Sequence, residues 1–217
     1  MSEMNTKAMY KLSYGLFVCT AVRGDKMNGC ITNTAIQVAS DPNRISIAIN
    51  KANYTHDMVK ETGLCNVSVI SQKASFELFK HFGFQSGRDV DKFSKELLAP
   101  LGDNVYSIAE NGVPYITLGT NSYFSLKVEQ TVDLGSHTLF ICEPTAMVVL
   151  NEDPSCTYDF YQNNIKPKPQ PVGTTVKGET VWRCTICGYE YVGEELPDDF
   201  ICPICKHGKE DFEKIIR

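Results

Sequence analysis

No stretch of the sequence approaches the ~20 consecutive apolar residues of a membrane-crossing helix, so no bilayer-spanning role is expected. The opening segment MSEMNTKAMYKLSYGLFVCT lacks the sustained apolar core and small-residue cleavage site of a secretory leader, and a cytoplasmic address is the expectation. Positive charge is scarce as well. Against 26 Asp and Glu stand 21 Lys and Arg, a net charge of −5, which removes the basic field that nucleic-acid or anionic-membrane binding requires. Neither partner is expected. Internal repeats, low-complexity tracts and the glycine-rich turn of a dinucleotide fold are all missing. What is present, 42% hydrophobic and 22% charged residues in a chain of 217, suits a globular protein of one or two domains.

Cysteine is plentiful instead. Nine cysteines in a chain expected to sit in a reducing compartment point to metal ligation before disulfides. Cys19, Cys30, Cys65, Cys142 and Cys156 are scattered singly. Three of them, Cys19, Cys65 and Cys142, fall within apolar strand patterns and read as core, since free cysteine is among the most buried residue types. Cys184, Cys187, Cys202 and Cys205 form two C-x-x-C pairs near the end.

Along the chain, IKPKPQPVGTTVKGE favours an extended, solvated segment. It divides residues 1–165 from residues 180–217, with a linker at 166–179. Before it, β-branched and apolar runs recur between turn residues: YGLFVCTAV, RISIAI, LCNVSVI, YFSLKVEQTV and HTLFICEPTAMVVL. Helical spacing shows in YTHDMVKET and SFELFKHF, the latter grouping Phe76, Leu78 and Phe79. Strands in this number with short helices between predict a mainly β fold, an antiparallel barrel whose closure hides the strand edges.

Fourteen residues separate Cys187 from Cys202, so four thiolates from two knuckle turns converge as a tetrahedron. Such a site takes zinc or iron, and the spacing alone does not choose. Gly188 and Pro203 fit tight turns whose N–H groups aim at sulfur, and Trp182, Tyr189, Tyr191, Phe200 and Phe212 supply an aromatic core. The segment CTICGYEY, then CPIC, then KEDFE resembles rubredoxin, in the short-loop form that ends rubrerythrins. The resemblance implies one iron held by Cys184, Cys187, Cys202 and Cys205.

A one-electron iron centre fed by a two-electron nicotinamide calls for a flavin between them. The stretch KMNGCITNTAIQVASDPNRISIAINKANYTHDMV, with FGFQSGRDVDKF and GSHTLFICEP, resembles the flavin-reductase-like FMN-binding split-barrel family over residues 8–163. That resemblance implies that the isoalloxazine lies against Cys30, Ile31, Thr32, Asn33, Thr34 and Ala35. Ile49, Asn50, Lys51, Tyr54 and Thr55 would carry the ribityl and phosphate end, with a helix starting near Thr55 whose amides suit an anion. Arg88 and Lys92 would make a second phosphate contact, and His137 would sit on the face where nicotinamide stacks. Ser136 stands where the family often has Asp, so a carboxylate partner for His137 is not indicated. Plainer readings stand beside these: polar residues between strands commonly form turns, Arg88, Asp89, Asp91 and Lys92 could be a solvated charge cluster, and a strand-start histidine is commonly structural. His56, His81 and His207 have no evident convergent partners and read as structural or exposed.

The whole chain resembles the rubredoxin-fused flavin reductases known as high-molecular-weight rubredoxins. This implies an NAD(P)H-dependent electron-transfer flavoprotein, a homodimer, that moves electrons from NADH or NADPH through FMN to iron and on to a redox partner such as a flavodiiron oxygen or nitric oxide reductase. Reduced ferredoxin is an alternative donor. From Thr180 to Arg217 eight acidic side chains face five basic ones, a field that would steer a weakly bound partner with a basic patch. Two rivals remain: a reductase that releases reduced flavin, and a zinc-stapled binding module that is no enzyme.

Overall fold

In the computed structural model residues 5–167, 180–185, 188–202 and 208–216 are described. The chain divides into two compact units, Met1–Asn163 and Asn164–Arg217. Most of the expected linker, residues 168–179, lies outside the described residues.

The first unit is a seven-stranded antiparallel sheet. Its strands are β1 (Phe17–Arg23), β2 (Lys26–Thr32), β3 (Ile36–Ser40), β4 (Asn43–Asn50), β5 (Leu64–Ile70), β8 (Thr120–Asp133) and β9 (His137–Val149), ordered β2-β1-β5-β8-β9-β4-β3. Two helices matter to the site: α1 (Tyr54–Thr62) and α2 (Phe76–Gly83). Strands far apart in that order share one apolar core, which holds Cys19 and Ala21 of β1, Cys30 of β2, Ile47 and Ile49 of β4, Cys65 of β5, Leu126 of β8 and Phe140 of β9. Only a sheet coiled on itself brings such strands together. Met58 and Val59 of α1 fill the same core. The five strands and two helices expected from the apolar runs are all present, and the fold is the mainly β architecture with short helices that they predicted.

β1 and β5 are buried on both faces, because a small hairpin of β6 (Tyr106–Ile108) and β7 (Pro114–Ile116) covers their second side. Buried polar side chains make that cover fit. Asn66 Nδ2 donates to Val113 O at 2.8 Å, Ser68 Oγ accepts from Ile116 N at 2.9 Å, and Thr20 donates to Pro114 O. Each of these buried side chains is thereby satisfied by a backbone group of the hairpin. On α2 the buried face is Leu78, Phe79, His81 and Phe82, whereas Phe76 sits at its edge against Phe84. Phe82 lies so near Gly29 that a Cβ there would come within 3.0 Å of its ring, so α2 packs directly on the β2 backbone.

The lone cysteines behave as core. Cys19, Cys65 and Cys142 are fully buried, and a bond from Cys65 together with burial holds the Cys142 thiol well above its ordinary range. Such thiols stay protonated and inert.

The second unit carries a three-stranded sheet ordered β11-β10-β12, of β10 (Thr180–Cys184), β11 (Glu190–Val192) and β12 (Phe212–Ile216). Phe200 is its aromatic hub, with ring centroids of Tyr191 at 5.0 Å and Phe212 at 5.4 Å. Trp182 instead carries the ammonium of Lys214 over its ring.

Candidate flavin cleft and iron knuckle

Three separated segments meet at one cleft of about 120 Å³. Ile31, Thr32, Asn33 and Thr34 lead out of β2, Ile49 and Asn50 end β4, and His137 opens β9; Ala48 and Asn53, which the sequence did not single out, complete the lining. Pairing of β4 with β9 sets this meeting, since Asn50 stands opposite His137 and Ile49 opposite Thr138. Thr34 Oγ1 donates to Ala48 O at 2.7 Å and accepts from Ala48 N at 3.1 Å, and Thr32 Oγ1 lies 2.8 Å from it. The two hydroxyls therefore shape the segment rather than stand free. His137 Nδ1 has the Ser136 hydroxyl at 2.9 Å, so its partner is a hydroxyl and not a carboxylate.

A second group of the expected residues gathers at the amino end of α1. Asn53 is the N-cap and offers no side-chain bond to the first turn; the Asn53 carbonyl accepts from His56 N at 3.1 Å, and the N–H groups that open a helix have no intrahelical partner. Tyr54 is ringed by cations: Arg23 at 5.1 Å, Lys26 at 4.7 Å and Arg88 at 5.2 Å from its ring centre. Its hydroxyl also takes Arg23 Nη2 at 2.6 Å. Arg23 and Lys26 escaped the sequence reading because they belong to the β1–β2 hairpin and share no motif with α1. Thr55 is buried, accepting from Asn28 Nδ2 at 3.0 Å. Arg88 Nη2 reaches Asp57 Oδ2 at 2.6 Å, and a bond from His56, then that from Arg88, holds the Asp57 carboxyl below its usual range.

The remaining expected residues lie elsewhere. Lys92 points inward: its Nζ donates to Gly29 O at 2.8 Å and Phe82 O at 2.9 Å. The carbonyl end of α2 attracts a cation, and burial pulls the ammonium's pKa from 10.5 to about 8. Cys30 is buried beside it, its thiol pushed up by burial. Lys51 Nζ pairs with exposed Asp133 at 2.7 Å. Ala35 lines a different, apolar groove of about 460 Å³ with Phe17, Ile45, Val67 and Phe124. His81 is structural as expected, its Nε2 donating to Lys92 O at 2.8 Å. His56 is not a mere filler: both of its ring nitrogens are bonded, to Asp57 and to Thr138.

In the second unit Cys184 and Cys202 are 1% and 0% exposed. Cys184 N donates to Tyr189 O, and its carbonyl accepts from Gly188 N at 2.9 Å, with Gly188 at φ 81°. That left-handed conformation is one glycine adopts without strain. Cys187, Pro203, Cys205 and His207 lie outside the described residues. Two buried thiols, Cys184 and Cys202, fit a thiolate-held metal. Among the described residues no cluster of three or more His, Cys, Asp or Glu gathers to hold a metal.

A coiled antiparallel sheet with a polar cleft at the β4–β9 edge is a flavin reductase type of architecture, and the chain belongs to that family: residues 9–167 match the flavin reductase like domain. Residues 182–213 match the rubredoxin-like domain of rubrerythrin, so an oxidoreductase domain is fused to an electron-transfer module. A "High molecular weight rubredoxin" of Moorella thermoacetica is 36% identical over 98% of this chain and all of its own length. A "Ferric-chelate reductase (NAD(P)H)" of Archaeoglobus fulgidus is 34% identical over 79% of this chain and 96% of its own. Among solved structures, the NADH:FAD oxidoreductase SgcE6 of Streptomyces globisporus superposes with a TM-score of 0.60 over 70% of this chain and 84% of its own, at 19% identity, a likeness of fold. No helix among the described residues is long and apolar enough to cross a membrane.

Proposed function

We propose that this chain is an NAD(P)H-dependent electron-transfer flavoprotein that holds FMN in the β4–β9 cleft and passes electrons through a four-cysteine iron to a redox protein partner. The observation that carries the proposal is the convergence of Ile31–Thr34, Ile49–Asn50 and His137 on one cleft. Apolar Ile31 suits the face of a flat ring, the Ile49 side chain being taken up in the core, and Asn33 and Asn50 offer amide groups for its polar edge. The phosphate end fits the first turn of α1 with Arg88, Arg23 and Lys26 around Tyr54. Arg88 rather than Lys92 serves there, because Lys92 is turned onto two carbonyls. FMN needs no more anion-holding groups than these. A flavin held by these residues would supply two-electron acceptance from nicotinamide and one-electron release to an iron. The residues' own part is to position: His137, oriented by Ser136, faces the side from which the donor approaches.

A homodimer and a flavodiiron-type acceptor belong to the same reading. A cleft of about 120 Å³ is well short of the roughly 300–1,000 Å³ of ligand sites, so a second copy would supply a further wall. Exposed Ile36 and Met147, at 62% and 57%, line the apolar groove, and Val38 and Val149 on the same two strands are 54% and 70% exposed; that copy would cover all four. The test is the visible spectrum and metal analysis of the purified chain, followed by anaerobic titration with NADH. Iron and FMN that both bleach are expected, and Cys202→Ser should lose the iron while keeping FMN. Zinc without flavin would sink the proposal.

A further inference from the structure

Outside the cleft, four side chains form a continuous chain of hydrogen bonds that runs from the exposed Arg88–Asp57 pair into the interior at His56 and Thr138. Arg88 Nη2 reaches Asp57 Oδ2 at 2.6 Å, the other carboxylate oxygen meets His56 Nδ1 at 3.0 Å, and His56 Nε2 meets Thr138 Oγ1 at 2.9 Å. A carboxylate only accepts, so Nδ1 carries a hydrogen; the bond at Nε2 is one that a hydroxyl completes as donor or acceptor. His56 and Thr138 are 4% and 5% exposed, and the imidazole packs on Phe140 at 5.8 Å. An apolar residue of this size would fill the same space without the desolvation cost of two ring nitrogens, so core packing alone does not account for a histidine here.

The two ends of the chain are informative. Arg88 stands over Tyr54 at the amino end of α1. Thr138 is the second residue of β9, directly after His137, and the residue before His137 is also pinned: Ser136 O accepts from Lys51 N at 3.0 Å. The start of β9 is thus held from two sides, with His137 between the anchors and facing the cleft.

We propose that His56 is a positioning residue that makes Arg88, at the anion end of the cofactor site, and the first residues of β9 interdependent. Asp57 holds in place the Arg88 guanidinium that an anion would meet, and His56, fixed on Thr138, orients Asp57. Linkage is reciprocal, so a change at Thr138 must alter anion binding at Arg88 although the two side chains share no contact.

The inference rests on the FMN reading, and a double-mutant cycle on the flavin-stripped full-length chain tests it. FMN affinity is read by fluorescence quenching, with riboflavin, which has no phosphate, as control. Thr138→Val keeps shape and removes the hydroxyl. It should weaken FMN about fivefold when Arg88 is present and less than about twofold in the Arg88→Ala background. Riboflavin binding should hardly change, and Thr138→Ser should restore the wild-type value. Should Thr138→Val not fold, His56→Gln takes its place in the same cycle. Equal factors in both backgrounds, or a lowered Tm with unchanged FMN affinity, would overturn the role of His56 and leave the cofactor reading intact. A wild-type chain that binds no FMN would remove both.

Discussion

At the scale of single residues, Lys92 shows how strongly the interior sets the behaviour of a charge. Its Nζ is satisfied by two backbone carbonyls, yet burial lowers its pKa to about 8 from the ordinary 10.5. The unfolded chain therefore binds more protons than the folded one between those values, and the protein gains stability as pH rises through that window. The shift corresponds to about 3 kcal/mol in total, full above the unfolded pKa and lost as pH falls through the folded one. Urea midpoints measured from pH 7 to 11 should rise more steeply for the wild type than for Lys92→Met. Parallel curves would show that the ammonium is solvated in solution. His81 belongs to the same small system, and burial, the largest cause, lowers its pKa as well. Protonating it would add a second positive charge beside Lys92, which argues that the imidazole stays neutral in its role of holding the Lys92 carbonyl.

At the scale of elements, the segment after α2 is fastened by close approach as much as by bonds. Gly87 is buried against β2: a Cβ there would stand 2.1 Å from Asn28 Oδ1. That oxygen makes no hydrogen bond, while the amide nitrogen of the same side chain reaches Thr55 on α1. Asn28 is thus wedged between the segment that carries Arg88 and the helix that would receive the phosphate. Gly87→Ala must push the segment away, and overpacking of this kind costs roughly 1–3 kcal/mol. The expected result is a lower Tm together with FMN binding weakened about tenfold or more, read by thermal melting and flavin titration. A variant that melts early but binds FMN normally would show that the segment is not part of the site. α1 itself is well placed for its task, its N-cap facing the cleft and its other end closed by left-handed Gly63 at φ 70°.

At the scale of the whole molecule, the two units divide labour by chemistry. The first has a polar cleft, a cation-ringed tyrosine and a wide apolar face; the second has buried thiols, an aromatic hub and an acidic balance. Exposed Ile36 and Met147 line a groove of about 460 Å³ in the first unit, an apolar surface of the kind a partner covers. Placing a carboxylate there, as in Ile36→Asp, should convert a dimer into a monomer in sedimentation velocity and lower flavin affinity with it. A wild-type chain that sediments as a monomer with full flavin affinity would assign the face to some other partner.

The sequence by itself determined the parts whose signals are local. Apolar runs predicted β1, β4, β5, β8, β9 and both helices, because burial periodicity is written along each element. The paired C-x-x-C motifs predicted the second unit, because ligand spacing within a turn is a local matter. Through family likeness Ile31 to Thr34 and the pair Ile49–Asn50 marked the cleft, whereas Cys30 and Ala35 at the ends of the same run lie outside it. Tertiary structure alone decided what depends on register and on distant chain. The pairing of Asn50 with His137 brings β4 and β9 to one cleft, and Lys92 turns inward where Arg88, four residues earlier, turns out. Arg23 and Lys26 reach Tyr54 only because a hairpin folds over α1. His56 looked unpartnered since one of its two partners is 82 positions away, and nothing in a linear string encodes a hydrogen bond across that separation.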